Sequence, residues 1–213
     1  MYKLLLIITA GRHGSTTLCD KLDELDNCKS FYEAFRGKQN NQSVNGPWMY
    51  TSKPNEFFEC KFKNNIKEAV FEECKKLEIK EEFVSCKIFY HHLGHPKIKN
   101  LLSCPDNIKV IFLKRDHEGS YNSMRRAQLT GNWGTTPERQ EKINKKRKMN
   151  MEDRLEYWNA KEIDVDDFND YKKRVDEWFL KCEKLCKDSN IQNETIHFND
   201  IISDTYDVTK LLF

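Results

Sequence analysis

A segment near the amino terminus, Gly11-Arg-His-Gly-Ser-Thr-Thr17, carries residue types that together can bind an anion. It follows an apolar run and precedes leucines at helical spacing. A strand, a glycine-containing turn and a helix start direct backbone N–H groups and the positive end of the helix dipole to one place. Arg12 adds a permanent cation, and the last three residues add hydroxyls. We therefore expect a site for a phosphate-like group at this turn.

A second segment combines similar residue types behind another apolar run. The run ends in Lys114-Arg115-Asp116, after which a helical pattern begins. Arg115 at the end of a strand can make a forked contact with a phosphate, and Ser123, eight residues later, can reach the same group. Two anion sites at neighbouring strand ends suit a ligand with two separated phosphate-type groups.

The first segment differs from the loop of nucleoside triphosphatases, in which a lysine and then Ser or Thr follow the last glycine. Here Ser15 follows Gly14 directly, and the cation, Arg12, precedes that glycine. The missing lysine argues against ordinary kinase or ATPase chemistry. Two alternatives stay open: a small-molecule kinase on a related fold, with Asp116 as a metal ligand, and a non-catalytic nucleotide-binding protein.

The elements that position these segments are expected from apolar runs and from helical periodicity. The strand candidates are Lys3–Thr9, Lys29–Tyr32, Phe83–Tyr90, Lys109–Leu113 and Glu194–Phe198. The helix candidates are Phe62–Leu77, Glu118–Thr130 and Phe168–Lys187. Strands that alternate with helices predict an α/β three-layer sandwich with a mostly parallel sheet, which binds ligands beyond the carboxyl ends of its strands.

Length and charge narrow the class of protein. A chain of 213 residues fits one domain, residues 1–213, and a net charge of +2 is too small for a general nucleic-acid binder. The apolar run at the amino terminus is too short to span a membrane, and no cleavage-site pattern follows it. We expect a cytoplasmic protein without a membrane span, and we expect loops over Gly37–Asn55 and Gly131–Asn150, the latter with a basic run, Lys142–Lys148.

Eight cysteines raise the question of disulfides or zinc. No two of them are spaced as CxxC, and no set of Cys and His has the spacing of a zinc finger. Because unpaired cysteine is among the most buried residue types, we interpret them as reduced thiols in the core.

Taken together, the two anion segments resemble the 3′-phosphoadenosine 5′-phosphosulfate (PAPS)-dependent sulfotransferases, above all the bacterial trehalose 2-sulfotransferase type. The first segment is similar to that family's 5′-phosphosulfate loop, R-S-G-S-T-L-L, with His13 in place of a serine. Residues 114–133 resemble its 3′-phosphate motif, which contains R-D, a serine and R-A-x-Q-T-G-x-W. In this chain the corresponding residues are Arg115-Asp116, Ser123 and Arg126-Ala-Gln-Leu-Thr-Gly-Asn-Trp133. Shorter pieces agree in order along most of the chain: Phe31–Phe35, Cys86–Ile88 and Ile196–Ile201.

The resemblance implies a P-loop-NTPase-like sulfotransferase fold, PAPS as donor, no metal, and a small-molecule or glycan hydroxyl as acceptor. It assigns the 5′-phosphosulfate to the loop residues Arg12, His13, Gly14, Ser15, Thr16 and Thr17. It assigns the 3′-phosphate to Arg115 and Ser123.

An acceptor hydroxyl needs a base. In the family that the chain resembles, a glutamate at the end of the short second strand is the base, which implies this role for Glu33. The alternative base is a histidine just after the third strand, His91 or His92, since cytosolic sulfotransferases use a histidine after a comparable strand. Three of the six histidines cluster here, His91, His92 and His95, and we expect one of them, for which we name His91, to act either as the base or as an acceptor contact.

Overall fold

The computed structural model of the chain describes residues 2–35, 59–90, 92, 95–103, 105–130, 165–203 and 206–212. The loops expected over Gly37–Asn55 and Gly131–Asn150, together with the basic run Lys142–Lys148, lie outside these ranges. His91 lies outside them as well.

The described residues form five strands and six α-helices, with a short 3₁₀ helix at Val208–Leu211. The strands are β1 (Lys3–Thr9), β2 (Cys28–Ser30), β3 (Phe83–Ile88), β4 (Ile108–Lys114) and β5 (Gln192–His197). The helices are α1 (Ser15–Asp23), α2 (Ile66–Lys76), α3 (His95–Leu101), α4 (His117–Thr130), α5 (Val165–Asp188) and α6 (Phe198–Ile201). All five strand predictions are confirmed to within a few residues, whereas α3 and α6 are not predicted by the sequence patterns.

All strand pairs are parallel, and the sheet order is β2-β3-β1-β4-β5. The prediction of an α/β protein with a parallel sheet is therefore confirmed. β1 lies in the centre, where Leu6 is paired with Cys86 on one side and with Val110 on the other. The turns that follow β1, β2, β3 and β4 consequently meet at one edge of the sheet, the carboxyl edge.

β1 is an unbroken apolar run because helices cover both of its faces. On one face Leu5 and Ile7 belong to a core cluster with Leu18 and Leu22 of α1. On the other face the ring of Phe112 lies 6.3 Å from that of Phe179 in α5. Helices on both faces make three layers around the sheet.

The chain divides into two compact units. The first comprises Met1–Arg115 and Asp176–Phe213 and contains the sheet; the second is Asp116–Val175. Within the second unit the Tyr121 ring lies 5.2 Å from that of Phe168, and the Tyr121 hydroxyl donates a hydrogen bond to Asp167. The prediction of a single domain over the whole chain stays a prediction.

The cysteines of the described ranges are free and buried, as predicted from their spacing: Cys19, Cys28, Cys60, Cys74, Cys86, Cys182 and Cys186. Burial raises the pKa of the Cys19 thiol to about 11, despite the nearby Lys87 ammonium. None of the helices within the described ranges is long and apolar enough to cross a bilayer.

Candidate anion-binding site

The turn after β1 has the backbone geometry of an anion cradle. Gly14 precedes the first residue of α1 in the left-handed conformation, with φ 83° and ψ 13°. The first intrahelical hydrogen bond runs from the Leu18 N–H to the Gly14 carbonyl, at 3.2 Å. The helix geometry therefore leaves the N–H groups of residues 15–17 without intrahelical acceptors. Within the described residues, no side chain caps α1 and its first turn contains no acid, so these donors and the helix dipole suit an external anion.

The ring of Phe198, at the start of α6, packs closely against Gly14 in this turn. A Cβ atom on residue 14 would lie 2.7 Å from Cε2 of Phe198 and nearer still to Cδ2, as well as 3.1 Å from Cδ1 of Ile201. Glycine is required here for two reasons, the positive φ and the close approach of the ring.

The two arginines predicted for the two phosphates lie close together. Nη1 of Arg115 donates a hydrogen bond to the Arg12 carbonyl at 3.1 Å, and its guanidinium carbon lies 4.1 Å from the centroid of the Phe198 ring. Burial and the positive charge of Arg115 lower the pKa of Arg12. Because the like charges repel each other, an anion bound beside both would offset an unfavourable interaction.

His13 differs from its neighbours in the loop because its side chain points into the core. The imidazole is fully buried, its Nδ1 donates to the Leu113 carbonyl at 3.1 Å, and its ring stacks on Phe179 with centroids 5.9 Å apart. These contacts attach the loop to β4 and α5. The backbone of His13, rather than its ring, is therefore the part that can contact a ligand in the cradle.

Lys87 joins the cradle to the predicted base. Its Nζ donates a hydrogen bond to Oγ1 of Thr16 at 2.8 Å and lies 3.5 Å from Oε1 of Glu33. The side chains are 3% exposed for Lys87 and 10% exposed for Glu33. The rings of Tyr32 and Phe89 each have their centroid 5.7 Å from the ammonium group. A buried cation with a hydroxyl and a carboxylate as neighbours therefore lies directly beside the start of α1.

His92 occupies the other side of the Glu33 carboxylate. Its Nε2 lies 3.7 Å from Oε2 of Glu33. The Phe89 N–H donates to Nδ1 of His92 at 3.4 Å, which leaves the proton of the neutral ring on Nε2, towards the carboxylate. His92 is thus the histidine of the predicted pair that the described structure brings to Glu33.

The remaining predicted residues belong to the second unit, which begins directly after Arg115. Ser123 lies on α4, and its contact with a 3′-phosphate stays a prediction. Asp116 has a structural contact of its own, because its Oδ2 accepts a hydrogen bond from the Gly119 N–H at 2.5 Å and so caps α4. That contact weakens its candidacy as a metal ligand.

Sequence reasoning named Arg12, Gly14, Thr16, Arg115 and Glu33 as candidates, and the structure brings them to the carboxyl edge of the sheet, but it gave no contact role to Lys87 or Phe198. Lys87 had a readable signal, since a lysine inside a buried apolar strand is uncommon unless it is paired. Phe198 had none, because an aromatic residue at the end of a strand is most often ordinary packing.

No protein-family model matches the chain, and a comparison with curated proteins gives no match either. Within the described ranges, no three His, Cys, Asp or Glu side chains lie close enough together to hold a metal ion.

Proposed function

We propose that the chain transfers a sulfuryl group from PAPS to an acceptor hydroxyl, on a P-loop-NTPase-like sulfotransferase fold. One observation carries the proposal: the Lys87 ammonium bridges a hydroxyl of the anion cradle, on Thr16, and the carboxylate of Glu33. The proposed donor site and the proposed base would thereby be adjacent, as a transfer reaction requires.

The donor half of the site is built from fixed positive groups. The N–H groups at the start of α1, together with Arg12, would hold the 5′-phosphosulfate, and Arg115 would contact the 3′-phosphate. The repulsion between the two positive charges, which contributes to the lowered pKa of Arg12, supports this assignment, because a doubly anionic ligand would offset it. Phe198 restricts Arg115 by stacking on it, which lowers the entropy lost when the arginine binds a phosphate.

In the reaction, a bond forms between the acceptor oxygen and sulfur, and the bond between sulfur and the bridging oxygen breaks. The electron pair of that bond stays on the leaving 5′-phosphate, where negative charge develops. Arg12 and the N–H groups of α1 would stabilise this charge, a contribution typically worth about 10²–10³ in rate for one such contact. Lys87 would neutralise the charge on the group in transit, because its ammonium lies between the cradle and the base.

The acceptor's proton goes to Glu33 in this scheme. Oε1 of Glu33 faces the ammonium of Lys87 and Oε2 faces His92, so the carboxylate is held on both sides. A base that is already oriented needs less reorganisation to reach the reactive geometry. A direct role for His91 stays a prediction, since that residue lies outside the described ranges.

The first experiment measures donor-site binding by titrating 3′-phosphoadenosine 5′-phosphate (PAP) in a calorimeter. Removing a charge-assisted contact costs about 1.5–3 kcal/mol, so Arg12→Ala and Arg115→Ala should each weaken PAP binding about 10- to 150-fold. Arg174→Ala is the matched control, because that arginine is exposed on α5. No heat with the unaltered protein, or equal affinities for all three variants, would contradict the proposed donor site.

The second experiment screens hydroxyl acceptors by mass spectrometry with isotopically labelled PAPS. Glu33→Gln keeps the shape of the side chain, and we expect PAP binding to persist while transfer falls by orders of magnitude. If Glu33→Gln transfers normally and His92→Ala does not, the base assignment is wrong. Phosphoryl transfer from ATP with Mg²⁺, without transfer from PAPS, would favour the kinase alternative, and PAP binding without any transfer would favour a nucleotide-binding protein.

A further inference from the structure

Tyr32 has a backbone conformation that bulky residues seldom adopt. Among the described residues, five other than glycine have positive φ: Arg12, Tyr32, Glu78, Asn107 and Asn190. Asn107 and Asn190 are of a residue type that tolerates such values, and Glu78 lies in the turn directly after α2. The other two border the candidate site, with φ 70° at Arg12 and 47° at Tyr32. Strain of this kind persists only where the surroundings enforce it, and it concentrates at functional sites.

Two hydrogen bonds hold Tyr32 in this conformation. Its carbonyl accepts the N–H of Lys87 at 2.7 Å, which fixes the backbone against β3. Its hydroxyl donates to Oδ1 of Asp20 at 2.5 Å, which ties the ring to α1. The residue is only 5% exposed, and its ring lies below the Lys87 ammonium. Tyr32 thus contacts the helix that begins at the anion cradle and the lysine that joins cradle and base.

The hydrogen bond between the Tyr32 hydroxyl and Asp20 does more than provide a buried hydroxyl with a partner. Asp20 is exposed on α1, so water would solvate its carboxylate if the tyrosine hydroxyl were absent. The bond therefore adds little to the burial energetics of Asp20, whereas it provides a partner for the hydroxyl of the buried Tyr32. The bond fixes the position of Tyr32 relative to α1. Because Glu33 is the next residue in the chain, the bond also limits where the Glu33 side chain can lie.

We propose that Tyr32 is a positioning residue: through its bond to Asp20 it sets the placement of Glu33 and Lys87 relative to α1. This role rests on the proposed function, since it concerns the base and the cation of the transfer reaction. Movement of the donor cradle and of the base would then be coupled through α1. The hydrogen bond to Asp20 holds Tyr32 in its left-handed conformation and thereby sets the direction in which the chain continues to Glu33.

The test compares three substitutions with a matched control. Tyr32→Phe removes only the hydroxyl, Asp20→Ala removes only the acceptor, and Asp20→Asn keeps an acceptor oxygen. The control is Tyr2→Phe, which also deletes one tyrosine hydrogen bond, from its hydroxyl to the Ile79 carbonyl at 2.8 Å, near the opposite edge of the sheet.

We expect Tyr32→Phe and Asp20→Ala to lower kcat about 10- to 100-fold, the range typical of a misplaced reacting group. The affinity for PAP should stay within about twofold, because neither residue touches the proposed phosphate contacts, and Asp20→Asn should restore most of kcat. Tyr2→Phe should leave kcat unchanged. Unchanged kcat in Tyr32→Phe, or equal losses of kcat in Tyr32→Phe and Tyr2→Phe, would overturn the proposal.

A crystal structure of Tyr32→Phe separates this inference from the proposed function. We expect residue 32 to leave the left-handed region and the Glu33 carboxylate to move away from its present 3.5 Å contact with Lys87. Retention of both features would refute the positioning role. Failure of the unaltered protein to transfer from PAPS would refute the proposed function instead, whatever the crystal structure of the variant shows.

Discussion

Gly14→Ala is the substitution for which the structure specifies the physical cost most directly. The added Cβ would meet the Phe198 ring, with Cε2 at 2.7 Å, while the backbone keeps φ 83°. A left-handed conformation costs an L-residue about 1–2 kcal/mol, and overpacking of a well-packed contact costs about 1–3 kcal/mol. The free energy of unfolding should therefore fall by about 2–5 kcal/mol, a large share of the ~5–15 kcal/mol typical of a domain.

Gly11→Ala is the matched control in the same loop. Apart from Gly11 itself and its two chain neighbours, no described residue has an atom within 4 Å of a Cβ built on Gly11, and its φ is not in the left-handed region. A compatible Gly→Ala change stabilises by about 0.4–1 kcal/mol through the unfolded chain, so the two alanine variants should differ in sign. Denaturant unfolding followed by circular dichroism measures both free energies, and calorimetry with PAP measures whether displacement of the ring also disturbs Arg115.

A double-mutant cycle between Gly14→Ala and Phe198→Ala assigns the loss to its two sources. The clash disappears with the ring, whereas the strain at φ 83° remains. A coupling energy of about 1–3 kcal/mol is expected between the two positions. Equal stability of Gly14→Ala and Gly11→Ala, or zero coupling energy, would show that Phe198 does not pack against the turn in this way.

Three further outcomes follow from the same geometry. Phe198→Leu, which removes the ring stacked on Arg115, should weaken PAP binding about 2- to 30-fold in a calorimetric titration, from a cation–π contribution of about 0.5–2 kcal/mol; unchanged affinity would contradict it. Lys87→Met keeps the bulk but not the charge of the side chain, and initial rates of transfer should fall about 10²–10³-fold, whereas retained activity would exclude Lys87 from the reaction. Burial raises the pKa of Cys19 and Cys60 from 9.0 to about 11, so the folded chain keeps thiol protons that the unfolded chain releases. Between pH 9 and 11, the free energy of unfolding should therefore fall as pH rises. Iodoacetamide at pH 8 should label these thiols only after unfolding.

β1, β3 and β4 were predictable because each is a short, mainly apolar run that is buried in the sheet, a pattern that a central parallel strand requires on both faces. Lys3–Thr9 was predicted with the bounds that the structure has. The helices α3 and α6 were not predicted, because seven and four residues are too few to establish a periodicity. Their positions depend on contacts with the rest of the fold.

The candidate site was predictable only in part. The anion cradle is local, since a strand, a left-handed glycine and a helix start lie next to one another in the sequence. The relation of Glu33 to Lys87 is not local, because β2 and β3 are separated by more than fifty residues along the chain and become neighbours only through the sheet order. The direction of the His13 ring also could not be predicted from the sequence, since the same turn could expose the ring or bury it.

The amino-acid sequence by itself determined the alternation of strands and helices and the position of Gly14 and Arg12 at the end of the first strand, because both depend on neighbouring residues. Tertiary structure alone decided that Arg115 faces Arg12, that Phe198 covers Gly14, and that Lys87 joins Thr16 to Glu33. These contacts depend on which strands lie side by side, and that order follows from the burial of both faces of the sheet at once rather than from any single segment.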